Sequence, residues 1–420
     1  MKKAIKIVGI VLLIIIAAAI VAFGLYWHHN THWYDKYEKA LKTAGAVEKQ
    51  ITLPNGNVIN YGEVSNEKPA LLLIHGQMSI WEDYALVLPE LSNNWHIYAI
   101  DVYGHGESTH NESLYYLDVN GDDLIWFVDH VIGEPTVVAG HSNGALTASY
   151  IAAYGGQNIA GAVLEDPPVF STEGEGWEES FAYLDTYKPL HDWNQSEKTE
   201  CWESYYLRHC YWGQLYMADA MPGIADYAQK QYQKKPDEAV QIGFLPSSIW
   251  YVFEYAKEYD FTYGERFYDL SWNHGLTHEE IFSAIEVPCV YIHAKENVHE
   301  NGTYLCAASR EQAERAVSYM GDNCRLVETG VGQARFGIRQ PIISHQQQRH
   351  WNYKRTKHNS YSQNSSKAPC PFNVFLSALL SNFVCVCRSP NLRHVGLVRM
   401  HGKKAADTAR RRVYLRYAAP

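Results

Sequence analysis

The sequence predicts an α/β domain built on a doubly wound, mostly parallel sheet, with a block of helices inserted late in the sheet and an apolar helix ahead of everything else. Three observations carry this. Short, solidly apolar stretches such as Ala70–Ile74 alternate with helix-like segments, the rhythm of a parallel sheet covered on both faces. The run Thr136-Val137-Val138-Ala139-Gly140-His141-Ser142-Asn143-Gly144 reads as a strand, a tight turn and the opening of a helix. An uninterrupted apolar run at 7–27 stands behind Lys2, Lys3 and Lys6.

The apolar run comes first in the chain. At ~1.5 Å per residue it is long enough to cross a bilayer core, and it exceeds the roughly 7–15 apolar residues of a cleavable signal. Tyr26, Trp27 and Trp33 gather at one end, as in an interfacial aromatic belt. The leading lysines predict a cytoplasmic N-terminus and an extracytoplasmic body. Residues 1–29 therefore read as a single-pass signal anchor. A cleaved signal, with Ala22-Phe23-Gly24 as a poor cleavage site, is the second reading. Residues 30–47 follow as a polar, helical juxtamembrane connector.

From 48 the pattern changes. Residues 50–53 and 57–61 flank Pro54-Asn55-Gly56, the signature of a β-hairpin. The strand at 70–74, a helix at 84–91, a strand at 95–100 and a helix at 122–131 lead to the Ser142 turn. Its helix, 145–154, is stopped by Gly155-Gly156, and a further strand follows at 161–164. Between Val169 and Ser283 the rhythm breaks into helical sequence holding six of the twelve tryptophans: Trp177, Trp193, Trp202, Trp212, Trp250 and Trp272. The sheet resumes at 287–294 and closes at 325–328.

Composition divides the chain in two. Formal net charge is −10, which argues against a nucleic-acid partner. From Val331 onward, however, sixteen Lys or Arg face one acid, Asp407, leaving twenty basic against forty-five acidic residues before it. Cys201 with Cys210, and Cys306 with Cys324, are candidate disulfide pairs of an exported domain, with connectivity open. No cysteine or histidine spacing matches a zinc site and no phosphate-binding glycine loop is present, so neither metal nor cofactor is expected.

The chemistry gathers at strand ends, where a doubly wound sheet binds its ligands. A serine hydroxyl is a weak nucleophile unless it is exposed, aimed and next to a base. Gly140-His141-Ser142-Asn143-Gly144 does the aiming: a strand-to-helix elbow strains the serine, and the flanking glycines admit neighbouring backbone. The negative oxygen formed on attack needs preorganised donors, for which the backbone amides of Gln77 and Asn143 stand in the right places. Asp101 and His105 read as parts of a structural turn, and Asp166 before Pro167 as turn initiation or as a histidine-orienting carboxylate.

Taken together, His75-Gly76, Asp101-x-x-Gly104-His105-Gly106-x-Ser108, Gly140-His141-Ser142-Asn143-Gly144 and Asp166-Pro167-Pro168 resemble the α/β-hydrolase superfamily, in matching order and spacing over residues 48–329. The resemblance implies a serine nucleophile, Ser142; the serine argues against the branches with an aspartate nucleophile. It also implies that the insertion at about 169–283 is a cap over the site, whose aromatics suit an apolar or aromatic group on a small ester-like substrate or simply pack the cap. The acid of the triad is expected after the strand at 287–294, where Glu296 is the first choice, Glu300 the second and Asp166 the third.

The resemblance further implies a histidine within about ten residues of the last strand, then a closing helix. The chain instead reads Thr329-Gly330-Val331-Gly332-Gln333-Ala334-Arg335-Phe336, with no histidine before His345. Residues 330–420 therefore read as out of frame or fused; a genuine basic tail and a role for His345 as base are the rival readings. The expected activity is that of a membrane-anchored serine hydrolase acting through an acyl-enzyme on Ser142. The competing class is a catalytically silent member of the same fold that binds a small apolar ligand.

Overall fold

The computed structural model describes residues 2–329. His345 and the rest of the basic segment lie outside the described residues. Within them, one sheet is formed by β1 (Val47–Thr52), β2 (Val58–Val64), β3 (Ala70–Ile74), β4 (His96–Ile100), β5 (Thr136–His141), β6 (Ile159–Glu165), β7 (Cys289–His293) and β8 (Cys324–Glu328). Their order is β1-β2-β4-β3-β5-β6-β7-β8. The hairpin pairs β1 with β2 antiparallel, Thr52 opposite Val58, and β2 is antiparallel to β4. Every pairing from β4 through β8 is parallel. The chain lays β4 on one side of β3 and β5 on the other, so the carboxyl ends of β3 and β5 flank the switch point of the sheet.

The strands read as solid apolar runs because successive side chains serve two cores. Leu72 and Ile74 join Val138, Leu164 and Tyr291 on one face. Leu71 and Leu73 join Ile97, Val137, Val163 and Ile292 on the other.

The helices before the insertion are α1 (Lys2–Thr31), α2 (Asp35–Ala44), α3 (Leu88–Leu91), α4 (Leu117–Phe127) and α5 (Asn143–Tyr154). Two differ from the sequence reading. The expected helix at 84–91 is split into a 3₁₀ turn, Trp81–Tyr84, and the single turn of α3. Pro89 sits in the first turn of α3, and a helix running through it would set its ring against the preceding turn. α4 begins five residues before the expected start, at Leu117, and runs through Gly121. That glycine is a packing site rather than a break: a Cβ there would lie 2.1 Å from the Tyr150 ring of α5.

The insertion between β6 and β7 carries α6 (Lys188–Gln195), α7 (Trp202–His209), α8 (Tyr211–Met217), α9 (Met221–Lys234), α10 (Ser247–Trp250), α11 (Glu265–Tyr268) and α12 (His278–Ser283), joined by turns. α13 (Arg310–Met320) then links β7 to β8. All six insertion tryptophans are buried.

Among the described residues the apolar face of α1 has no partner along most of its length: from Ile5 to Leu25 its large side chains are exposed all round. Among the described residues it is the one helix long and apolar enough to cross a membrane. Its last turns, by contrast, are docked on the insertion. Asn30 Nδ2 donates to Gly243 O at 3.3 Å and Asn30 Oδ1 accepts from Ser247 N at 3.1 Å. Trp27 lies against Gly243, where a Cβ would stand 2.7 Å from the indole. Trp33 meets Tyr251 edge-on at 5.4 Å and shares a buried cluster with Tyr37, Leu207, Ile224 and Trp250.

The cysteines correct one expectation. Cys201 and Cys210 stand at the two ends of α7, and eight helical residues rise ~12 Å, too far for a bridge. Both are free thiols, as are Cys306 and Cys324. In the sheet register Cys324 lies opposite Cys289 rather than Cys306.

Candidate active site

Ser142 stands between β5 and α5 with φ 54° and ψ −124°. A non-glycine residue held there costs on the order of 1–3 kcal/mol and persists only where its surroundings over-determine it. They do so here. Ser142 N donates to Glu165 O at 2.8 Å, and Ala145 N donates to Ser142 O at 2.9 Å. A Cβ on Gly140 would lie 2.1 Å from Gly144 O, and one on Gly144 would lie 2.2 Å from His75 O. Gly76 lets the loop after β3 close in, its position for a Cβ being 3.2 Å from the Ser142 Cβ. The serine itself is half-buried, hence reachable.

That loop carries Gln77, followed by Met78 at φ 52°, whose N–H donates to His105 Nε2 at 3.2 Å. Among the described residues, no acceptor takes the backbone N–H of Gln77 or of Asn143. For Asn143 the reason is plain, because the first residues of a helix have no intrahelical partner for their N–H groups. The side chains of the two residues meet: Asn143 Nδ2 donates to Gln77 Oε1 at 3.4 Å. Both are 3% exposed.

Three tyrosines of the insertion close on this pair. Gln77 Nε2 donates to the Tyr259 hydroxyl, Asn143 Nδ2 to the Tyr263 hydroxyl at 3.2 Å, and the Tyr187 hydroxyl to Gln77 Oε1 at 3.5 Å. Asn143 also lines a narrow crevice with Tyr115, Asn120, Thr147, Tyr263 and Trp272. The sequence reading noted the aromatic richness of the insertion but did not single out these tyrosines, since nothing in their spacing ties 187, 259 and 263 to residues 77 and 143.

Asp101 and His105 serve the turn after β4. Asp101 accepts from Trp81 N at 2.7 Å and from Asn60 Nδ2 at 2.8 Å, and full burial pushes its carboxyl up to about 7. His105 is packed between the rings of Tyr259 and Tyr263, at 4.8 and 4.6 Å.

The three candidate acids fall in different settings. Glu296 is half-buried and caps α13, its Oε1 accepting from Arg310 N at 2.6 Å. Glu300 is exposed. Asp166 is fully buried directly after β6, one strand from Ser142, where His141 of β5 pairs with Glu165 of β6. Its Oδ1 accepts from Ala294 N at 3.2 Å, while Oδ2 meets no donor among the described residues. Burial raises the Asp166 carboxyl to about 7, and the single amide bond only partly opposes this. Glu296 thus bonds the first N–H of α13, whereas Asp166 directly follows Glu165, whose carbonyl oxygen accepts from Ser142 N.

A model of the alpha/beta hydrolase fold matches residues 69–189, the segment from β3 into α6 that holds Gln77, Ser142, Asn143 and Asp166. A candidate esterase/lipase of Haemophilus influenzae is 27% identical over 113 residues, covering 27% of this chain and 39% of that protein. Lipase LipV of Mycobacterium tuberculosis is 36% identical over 102 residues, 24% of this chain and 37% of that protein. The chain therefore spans less than two fifths of the length of either curated relative. Among solved structures, the enol-lactonase of Burkholderia xenovorans LB400 superposes with a TM-score of 0.47 at 16% identity, covering 68% of this chain and 92% of the other. A membrane phospholipase A described as a bacterial virulence factor gives 0.48 at 17% identity, covering 78% and 91%. The strand order and the family match point the same way: the segment 69–189 carries the alpha/beta hydrolase fold.

Proposed function

We propose that this chain is a serine hydrolase of small ester-like substrates, anchored in a membrane by α1 with its body extracytoplasmic. The observation that carries the reading is the strained Ser142 elbow beside two amides, of Gln77 and Asn143, that the described protein leaves undonated. Ser142 Oγ would attack the substrate carbonyl carbon, the two amides would hold the developing oxyanion, and expulsion of the alcohol would leave an acyl-enzyme for water to hydrolyse. The serine proton must pass to an imidazole, and a carboxylate must orient that imidazole. Asp166 is the better-suited acid, because it is buried directly after β6 with one oxygen unpartnered among the described residues. The names of the two curated relatives support an ester substrate.

A second reading rests on the same carboxylate. Among the described residues no imidazole reaches Asp166, so a silent ligand-binding member of the fold is the alternative. Rapid mixing of the full chain with p-nitrophenyl butyrate separates the two. A stoichiometric burst that disappears in Ser142→Ala supports the hydrolase. No burst, with ligand binding unchanged in Ser142→Ala, leaves the silent binder.

A further inference from the structure

The residues whose amides face the oxyanion are held from the insertion, not only from the sheet. Tyr259 belongs to a β-bridge with His105, flanked by Gly106 N donating to Glu258 O at 2.7 Å and Asp260 N donating to Gly104 O at 2.8 Å. The segment is pinned again by Asp260, whose carboxylate accepts from the Tyr115 hydroxyl at 2.6 Å. One turn later, Tyr263 N donates to Asp260 O at 2.9 Å, which sets its ring against His105. The two hydroxyls are thereby fixed in place before they meet Gln77 and Asn143. The same His105 accepts from Met78 N, so the loop carrying Gln77 is also held at the next residue.

An N–H donor stabilises an oxyanion only if it is already aimed when charge develops. Gln77 lies on a loop, where backbone orientation is softer than in a strand, and its neighbour Met78 has a positive φ. Buried side-chain bonds at Gln77 and Asn143 restrict both backbones, and their mutual contact couples the two amides. We infer that Tyr259 and Tyr263 are positioning residues for the oxyanion donors, so that the hole is assembled by the insertion rather than by the sheet alone. The inference rests on the serine-hydrolase reading and adds to it a dependence on the insertion.

Its test is a split between turnover and binding in Tyr259→Phe, Tyr263→Phe and the double variant, each of which keeps its buried ring. The full chain is assayed with p-nitrophenyl butyrate, and the rate of Ser142 labelling by a fluorophosphonate is followed in parallel. Each single change should lower kcat and labelling rate about 10-fold and the double change about 100-fold, with KM within about twofold and Tm lowered only by the few degrees that an unpaired buried amide costs. Wild-type reactivity with double-variant rates within twofold of it overturns the inference alone. A raised KM with kcat unchanged also overturns it, since the hydroxyls would then only bind substrate. Absence of Ser142 labelling in the wild type overturns the hydrolase reading, and the inference with it. If the double variant does not fold, Tyr263→Phe decides by the same criteria, because it loses one hydroxyl and no packing.

Discussion

Gly144 of α5 lies so close to the end of β3 that a Cβ on it would stand 2.2 Å from the carbonyl oxygen of His75. Both partners are backbone, so neither can swing aside. The contact fixes the distance between the helix that carries Asn143 and the loop that carries Gln77.

Gly144→Ala should accordingly disturb both stability and reactivity. Either the elbow or the β3 loop has to move by more than 1 Å, and we expect a loss on the order of 2–4 kcal/mol together with a large fall in Ser142 labelling. Denaturant melts and fluorophosphonate labelling of the same preparation would check it. A variant as stable and reactive as the wild type would contradict the close packing of elbow and loop.

Asp166 gives a pH-dependent expectation. Burial raises its carboxyl from 3.8 to about 7, so the folded chain retains a proton that the unfolded chain releases from about pH 4 upward. The contribution to stability is full below that range and is lost as pH rises through 7. Asp166→Asn removes this loss. It should match the wild type near pH 4 and exceed it at pH 8, by on the order of 2–4 kcal/mol. Asp101 and its own burial are common to both proteins and cancel in the comparison. Thermal melts across pH 4–8 provide the measurement; a variant less stable than wild type at pH 8 would mean that the carboxylate is charged and paired.

Glu296 separates capping from catalysis. Its bond to Arg310 N satisfies one of the open N–H groups at the start of α13. Glu296→Ala should cost about 1 kcal/mol in stability, as loss of a cap does, and leave p-nitrophenyl butyrate hydrolysis within about twofold. In an active chain Asp166→Asn should lower kcat by about 10⁴-fold. The opposite pattern would return the acid's role to Glu296.

Much of the fold was legible because the sheet is buried on both faces: Leu71, Leu72, Leu73 and Ile74 are apolar whichever way each points. The elbow was legible for a related reason, since Gly140 and Gly144 are required by contacts made within a few residues of Ser142 or with one neighbouring strand. Gly121, one residue before the expected start of α4, is a packing site whose partner, Tyr150, local sequence does not reveal. The ranking of Glu296 over Asp166 came from chain order. What distinguishes them is burial and the Ala294 amide, which only the β6–β7 pairing brings to Asp166. The tyrosine contacts to Gln77 and Asn143 were invisible for the same reason, being set by how the insertion folds back over the sheet.

The docking of α1 on the insertion has a mechanical consequence. A body on a loose tether tumbles freely above the surface that holds it. Here the helix continues to Thr31, its last turns are bonded through Asn30 to Gly243 and Ser247, and α2 starts only four residues later at Asp35. There is no slack between rod and body. Segment 242–247 thus sits directly on the last turns of the rod, next to its exposed apolar stretch. A force applied to the helix would therefore meet the insertion first, in the same chain segment whose Tyr251 packs on Trp33 and whose Tyr259 and Tyr263 bond Gln77 and Asn143 beside Ser142.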